Sequence, residues 1–207
     1  WTKKRFLSNL KLPLKLKKKL LVIHQSTNKA KVNLTKKKKI ISFIGKLNTS
    51  KGYDLFGNAL KKILIKYPEW KGIVIGDEKR ENFNVQQKNY ILLGFKKHEY
   101  IMNFLKKVNI CVVPSRWEEP FGRVALEASS RGCALIISNK GGLTEAITNG
   151  IVIKKLNSTS LYNAIKKIIE NPSLMKKLQR DSLKNFSLTN KNTALKIDNY
   201  RSQILKF

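Results

Sequence analysis

The sequence predicts an α/β protein built on a doubly wound parallel sheet, Rossmann-like, with helices on both faces. Three observations lead there. From residue 40 onward, short apolar runs alternate with longer segments of helical spacing. The runs are continuously apolar, so both faces of each strand are buried, as in a parallel sheet covered by helices. Loops rich in Gly, Asn and Ser follow the strands, at the end where ligands of such sheets bind. At 207 residues the chain is long enough to bury one sizeable core.

The elements follow in order. IISFIG (40–45) is the first strand. Residues 51–70 carry Leu55, Ala59, Leu60, Ile63 and Leu64 at helical spacing, and the helix stops before Pro68. GIVIGD (72–77) and YILLGF (90–95) are the second and third strands. HEYIMNFLKKV (98–108) reads as a helix and NICVVPS (109–115) as the fourth strand. An EEPFG turn then opens a helix that starts near Phe121 or Gly122 and runs through Ala128 to Arg131. CALIIS (133–138) is the fifth strand, LTEAI (143–147) a short helical turn, and GIVIKK (150–155) the sixth strand. Helices over 158–170, 172–185 and 190–205 close the chain, with Pro172 suited to a first helical turn. Residues 1–38 are Lys-rich and irregular, with one short strand at LLVIHQ. They are expected to be a basic linker or the tail of a preceding domain, and 39–207 the folded domain. The chain starts on Trp1 rather than Met and reads as a piece of a longer protein.

Composition narrows the function. No apolar run reaches the roughly 18 residues that span a bilayer, and the first residues lack the apolar core and cleavage site of a secretory signal. Cys111 and Cys133 sit in apolar strand-like runs, which predicts buried free thiols and a reducing, cytoplasmic setting. The two histidines and two cysteines show no metal-ligand spacing, so no metal is expected. The formal net charge of +30 first suggests nucleic acid. However, the basic residues are mostly Lys, spread as pairs without interleaved aromatics. Lys, Asn and Ile are all abundant and share AT-rich codons. The charge therefore reads as coding bias, or as a patch for anionic lipid at a membrane surface or for a diphosphate, with no nucleic acid expected.

Against this background the acids stand out. Of 13 Asp and Glu, Glu118, Glu119, Glu127 and Glu145 fall in one segment. A helix entered at Pro120 and Gly122 exposes free N–H groups and its positive dipole end, a ready anion site. Glu119 lies just before it, and Glu127 is roughly 8 Å along its axis at 1.5 Å per residue. A carboxylate repels phosphate but accepts hydrogen bonds from a vicinal diol. Two carboxylates flanking an anion hole match a nucleoside diphosphate sugar, with a diol at each end and phosphates between. The competing reading makes Glu118 and Glu119 dipole partners of the helix and puts Glu127 on its wet face. Lys46 and Lys51, on the GKLNTSKG loop, either straddle a diphosphate or are simply solvated.

GKLNTSKG, VIGD, YILLGF, VVPSRWEEPFGRVALEA and SNKGGLTEAI, in this order, resemble the carboxyl-terminal half of a retaining glycosyltransferase of GT-B fold, family-4 type, over residues 38–207. The resemblance implies that Glu119 meets donor-sugar hydroxyls and Glu127 the ribose. It implies that backbone N–H groups of Phe121, Gly122, Arg123 and Val124 face sugar and phosphates. Gly45 belongs to the first loop, whose Lys46 and Lys51 grip the diphosphate, and Gly94 and Phe95 line the base pocket. Glu119, Lys51 and Lys46 are the implied catalytic residues. The family usually has Arg where Lys46 stands. Gly141 and Gly142 are expected to bring their loop close to the donor, and Glu145 to brace it. The Asp77–Glu78 pair departs from the family's glycine-rich turn, and no role follows for it. The implied partners are a nucleotide sugar, an amino-terminal acceptor domain, and an acceptor glycan or lipid, with no cofactor and no metal. Leu195, Ile197, Tyr200 and Ile204 of the last helix are expected to be partly exposed, facing that other domain. A sugar-nucleotide epimerase or phosphorylase of the same shape is the second enzymatic reading, and a basic nucleic-acid or membrane-surface module the non-enzymatic one.

Overall fold

The structure is a computed structural model and describes residues 1–10, 13, 20–78, 85 and 87–204. Its strands are β1 (Lys38–Ile44), β2 (Lys71–Ile75), β3 (Tyr90–Leu92), β4 (Val108–Val113), β5 (Ala134–Ser138) and β6 (Ile151–Ile153). They form one sheet in the order β3-β2-β1-β4-β5-β6, with every pairing parallel. The helices are α1 (Thr2–Asn9), α2 (Tyr53–Lys66), α3 (His98–Leu105), α4 (Arg123–Ser129), α5 (Ser158–Glu170), α6 (Pro172–Lys184) and α7 (Asn190–Ile204).

Successive strand side chains point to opposite faces, and here both faces are buried. Ile41, Phe43, Val74, Ile110, Val112 and Ile136 pack with Phe56, Leu60 and Ile63 of α2 and Leu161, Ile165 and Ile168 of α5. Ile40, Ile44, Ile73, Ile75, Cys111 and Leu135 pack on the other side with Phe104 and Leu105 of α3 and Ala128 of α4. This two-sided burial is why the strands read as unbroken apolar runs. Cys111 and Cys133 are both free and buried. Burial is the largest cause that pushes each thiol up from its ordinary range. Neither is expected to react with a water-soluble disulfide reagent at pH 8 in the native chain, whereas both react in guanidinium. Rapid native labelling would contradict the burial.

The structure shifts several boundaries. The helix expected over 51–70 begins as a 3₁₀ turn at Thr49–Lys51, is interrupted at Gly52 (φ 72°), and resumes as α2, ending at Lys66. A Cβ on Gly52 would lie 2.0 Å from the Pro114 carbonyl oxygen, so this left-handed glycine lets the first and fourth loops touch. The EEPFG helix is shorter than expected, Arg123–Ser129, because Gly122 (φ 99°) is its N-cap. LLVIHQ forms no strand. In the segment expected to be irregular, α1 forms, and residues 27–37 are fastened to the domain. Thr27 N–H donates to the Leu188 carbonyl (3.1 Å), Arg131 to that of Asn28 (2.5 Å), and Lys37 to that of Val108 (2.7 Å). Residues 11, 12 and 14–19 of the expected linker, and residue 205 of the expected last helix, lie outside the described residues. On α7, Leu195, Ile197 and Ile204 are exposed, and Tyr200 is partly so.

Candidate functional site

The chain runs outward from β1 through β2 to β3, then crosses to β4 and runs the other way. The crevice between the carboxyl ends of β1 and β4 is therefore the switch point where ligands of such sheets bind. The loops there are tied by backbone. Arg116 and Trp117 N–H both donate to the Ser50 carbonyl, at 2.8 and 3.0 Å. The Arg116 guanidinium forks onto both carboxylate oxygens of Asp54, at 2.6 and 2.7 Å. Partial burial would raise the Asp54 carboxyl, but Arg116 and neighbouring backbone N–H groups outweigh it and hold it below the usual range.

A cleft of about 190 Å³ opens at this point, lined by residues that include Gly45, Lys51, Ser115, Glu119, Gly122, Arg123 and Val124. Lys51 Nζ lies 2.5 Å from Glu119 Oε1, and Ser115 Oγ donates to the same oxygen at 2.9 Å. Above them, the first turn of α4 has no side-chain cap, and its leading N–H groups have no acceptor within the helix. One wall therefore carries a cation, a carboxylate and free N–H donors.

Glycines hold this wall in place. Gly142 N–H donates to the Glu119 carbonyl at 2.6 Å, and a Cβ on Gly142 would stand 2.4 Å from the Pro120 oxygen. Gly141 (φ 57°) is tighter still, its Cβ position 2.1 Å from the Glu119 oxygen. The double glycine thus packs against the EEP backbone, which is the physical reason for its spacing. The brace also differs from expectation. Glu118 accepts the Gly141 N–H at 2.7 Å, while Glu145 reaches outward to His24 at 2.9 Å.

The remaining predicted residues, Lys46, Gly94, Phe95, Phe121 and Glu127, do not line this cleft. Glu127 is only 4% exposed, so the wet-face reading of it is wrong. Its Oε1 accepts from His98 Nε2 at 2.9 Å and from Arg123 at 3.2 and 3.3 Å. Lys46 does not line the cleft and pairs with Glu78 at 2.6 Å. Glu78, at φ 54°, is the one positive-φ non-glycine among the described residues. It occupies the turn where the family's glycines are expected, and a left-handed backbone there is what glycine tolerates best. Gly94 (φ 64°) accepts the Gly76 N–H at 3.0 Å, and the Phe95 side chain is exposed. Phe121 turns its ring away from the cleft, stacked on His24 at 5.2 Å between centroids. Both histidines thus meet a carboxylate, which the sequence analysis missed. His98 and Glu127 are 29 residues apart, and no local motif links them. Among the described residues, no group of three His, Cys, Asp or Glu could hold a metal ion, and no helix is long and apolar enough to cross a membrane.

Sheet order, switch-point cleft and glycine-packed EPFG loop define the carboxyl-terminal Rossmann-like domain of a GT-B glycosyltransferase. The chain belongs to the family Glycosyl transferases group 1, which matches residues 24–185. It is 32% identical over 172 residues to the uncharacterized glycosyltransferase MJ1178 of Methanocaldococcus jannaschii, covering 79% of this chain and 47% of the relative. It is 26% identical over 163 residues to a lipopolysaccharide 1,2-N-acetylglucosaminetransferase of Salmonella typhimurium, covering 70% of this chain and 43% of the relative. The chain spans less than half the length of these curated relatives. Among solved structures it resembles in fold Anabaena HepE in complex with UDP-glucose, with TM-score 0.68 and 20% identity, covering 80% of this chain and 49% of that one. It also resembles the C-terminal domain of LpcC, a glycosyl transferase group 1 family protein from Francisella tularensis. There the TM-score is 0.61 and the identity 25%, covering 70% of this chain and 82% of that one.

Proposed function

We propose that this domain binds a nucleoside diphosphate sugar and that the complete enzyme transfers the sugar, with retention, to an acceptor hydroxyl on a glycan or lipid. The observation that carries the reading is the single wall of Lys51, Glu119, Ser115 and the uncapped first turn of α4 at the switch-point cleft. Membership of the glycosyltransferase family supports it, as do UDP and UDP-glucose in the structural neighbours. In this reading Lys51 and the α4 N–H groups take up the charge that develops on the leaving diphosphate. Lys46 joins them once the diphosphate draws it from Glu78. Glu119 accepts from sugar hydroxyls, and Glu127 from the ribose. The leaving phosphate assists a same-face substitution. The acceptor comes from an opposing amino-terminal domain, which also closes the cleft against water. The work is done in the cytoplasm, at the inner membrane face if the Lys-rich surface meets anionic lipid.

The test is calorimetry of the chain with UDP, GDP and ADP, each with and without its sugar, beside plain phosphate and an oligonucleotide. Selective, saturable binding of one nucleotide sugar is expected. Binding that follows charge alone, with the oligonucleotide strongest, would sink the reading in favour of a basic surface module.

In this mechanism cationic side chains do the work that a divalent ion would otherwise do. Nucleoside diphosphate affinity is therefore expected to be the same in EDTA and in millimolar Mg²⁺ or Mn²⁺. A tenfold or larger dependence on the ion would overturn the assignment of Lys46 and Lys51.

A further inference from the structure

We propose that His98 is the positioning residue of Glu127: its ring occupies one carboxylate oxygen and so presents the other to the ribose diol. The proposal rests on the donor-site reading above and adds a residue that reading does not use.

The geometry is specific. Glu127 Oε1 takes every donor that the carboxylate has among the described residues, and Oε2 takes none. A carboxylate only accepts hydrogen bonds, so the proton of this contact sits on His98 Nε2, and a neutral ring carries its lone pair at Nδ1. Of the two partners, Arg123 is the looser. It sits one turn before Glu127 on the same helix and reaches it at 3.2 and 3.3 Å; both side chains are more than half exposed, 62% for Arg123 and 58% for His98, so distance is what separates them. Arg123 also lines the phosphate cleft, so a bound diphosphate competes for it. His98 holds the shorter contact, 2.9 Å, from a different element. As the first residue of α3, it has its backbone set by that helix.

Position supports the assignment. His98 lies four residues beyond Gly94, at the end of the loop that follows β3. A nucleotide lying along the sheet's carboxyl edge meets this loop with its base and Glu127 with its ribose. His98 touches Glu127 from the first residue of the helix that follows this loop. Without it, the Glu127 carboxylate is free to rotate and to take Arg123 with both oxygens, which withdraws the diol acceptor.

The experiment compares ribo- and 2′-deoxynucleoside diphosphates (UDP, GDP and ADP against their 2′-deoxy forms) on the full 207-residue chain, by calorimetry. The wild type is expected to prefer the tightest-binding ribonucleotide over its deoxy form by about tenfold. His98→Ala should lower ribonucleotide affinity about tenfold and deoxynucleotide affinity by less, since only the 3′-hydroxyl is left to lose its acceptor, erasing most of the preference. His98→Gln keeps an amide donor at similar reach and should recover part of it. Glu127→Ala should also erase the preference, and adding His98→Ala to it should change nothing further, because both act on one contact. Equal losses for ribo and deoxy ligands in His98→Ala, or no loss, would overturn the proposal. Nucleotide binding without ribose preference in the wild type would overturn it while leaving the donor reading standing. Failure to bind any of the six would remove the donor reading itself, and this proposal with it.

Discussion

Gly141→Val is expected to abolish nucleotide-sugar binding and to destabilise the domain by about 3 kcal/mol or more. Two costs combine. Gly141 has φ 57°, and a left-handed backbone costs a residue with a Cβ roughly 1–2 kcal/mol, with β-branched residues worst placed. The added Cβ would also stand 2.1 Å from the Glu119 oxygen and 2.7 Å from its nitrogen, which are backbone atoms that cannot rotate away. Overpacking of that kind costs roughly 1–3 kcal/mol more. The strand of chain that must shift is the one that aims Glu119 at the cleft, so binding falls with stability. Gly94→Val is the control. Its φ is 64°, but a Cβ there meets nothing within 4 Å, so only the backbone cost applies. Urea denaturation of the two variants checks this. Equal destabilisation would show that close approach to the EEP backbone contributes nothing.

Lys51→Ala is expected to weaken nucleoside diphosphate binding by about 3 kcal/mol, roughly 150-fold. A hydrogen bond to a charged group is worth about 1.5–3 kcal/mol, and removing Lys51 also leaves the Glu119 carboxylate in the cleft with the Ser115 hydroxyl but without its cation, a penalty of similar kind. The Lys51–Glu119 contact of 2.5 Å makes the paired variant informative. Glu119→Ala releases Lys51 to the phosphates, so free nucleoside diphosphate should bind as well as to the wild type or better. The intact nucleotide sugar should bind worse, because its hydroxyls lose their acceptor. Calorimetry with both ligands on both variants decides it. If Glu119→Ala weakened the free diphosphate as much as Lys51→Ala does, the cleft would not have the assigned polarity.

Much of the fold was legible in the sequence because two-sided burial leaves a plain trace. IISFIG and CALIIS are apolar but for Ser42 and Ser138, and such short runs suit strands covered on both faces. The helix boundaries were less legible. Residues 51–70 read as one helical segment, yet the α-helix covers only Tyr53–Lys66 and Gly52 divides it from the 3₁₀ turn before it, because contact with the Pro114 carbonyl demands a left-handed residue there. LLVIHQ has the composition of a strand but no neighbouring strand to pair with, and tertiary pairing overrides propensity. The EEPFG turn was legible as the entry to a helix, and it does set Glu119 in the cleft wall, whereas Glu127 is buried beyond that wall against His98 and Arg123.

By itself, then, the order of residues determined the alternation of elements, the parallel sheet and the switch-point loops, and it singled out Glu119, which lines the cleft. All of these are written in local period and in glycine and proline positions, which act through nearby backbone. The tertiary structure alone decided the pairings: Lys51 with Glu119, Lys46 with Glu78, His98 with Glu127, and the double glycine against the EEP turn. Those partners sit on loops and helices that only the crossovers of the sheet bring together. A hydrogen bond depends on ångström distances between such elements, and no local pattern in the chain encodes them.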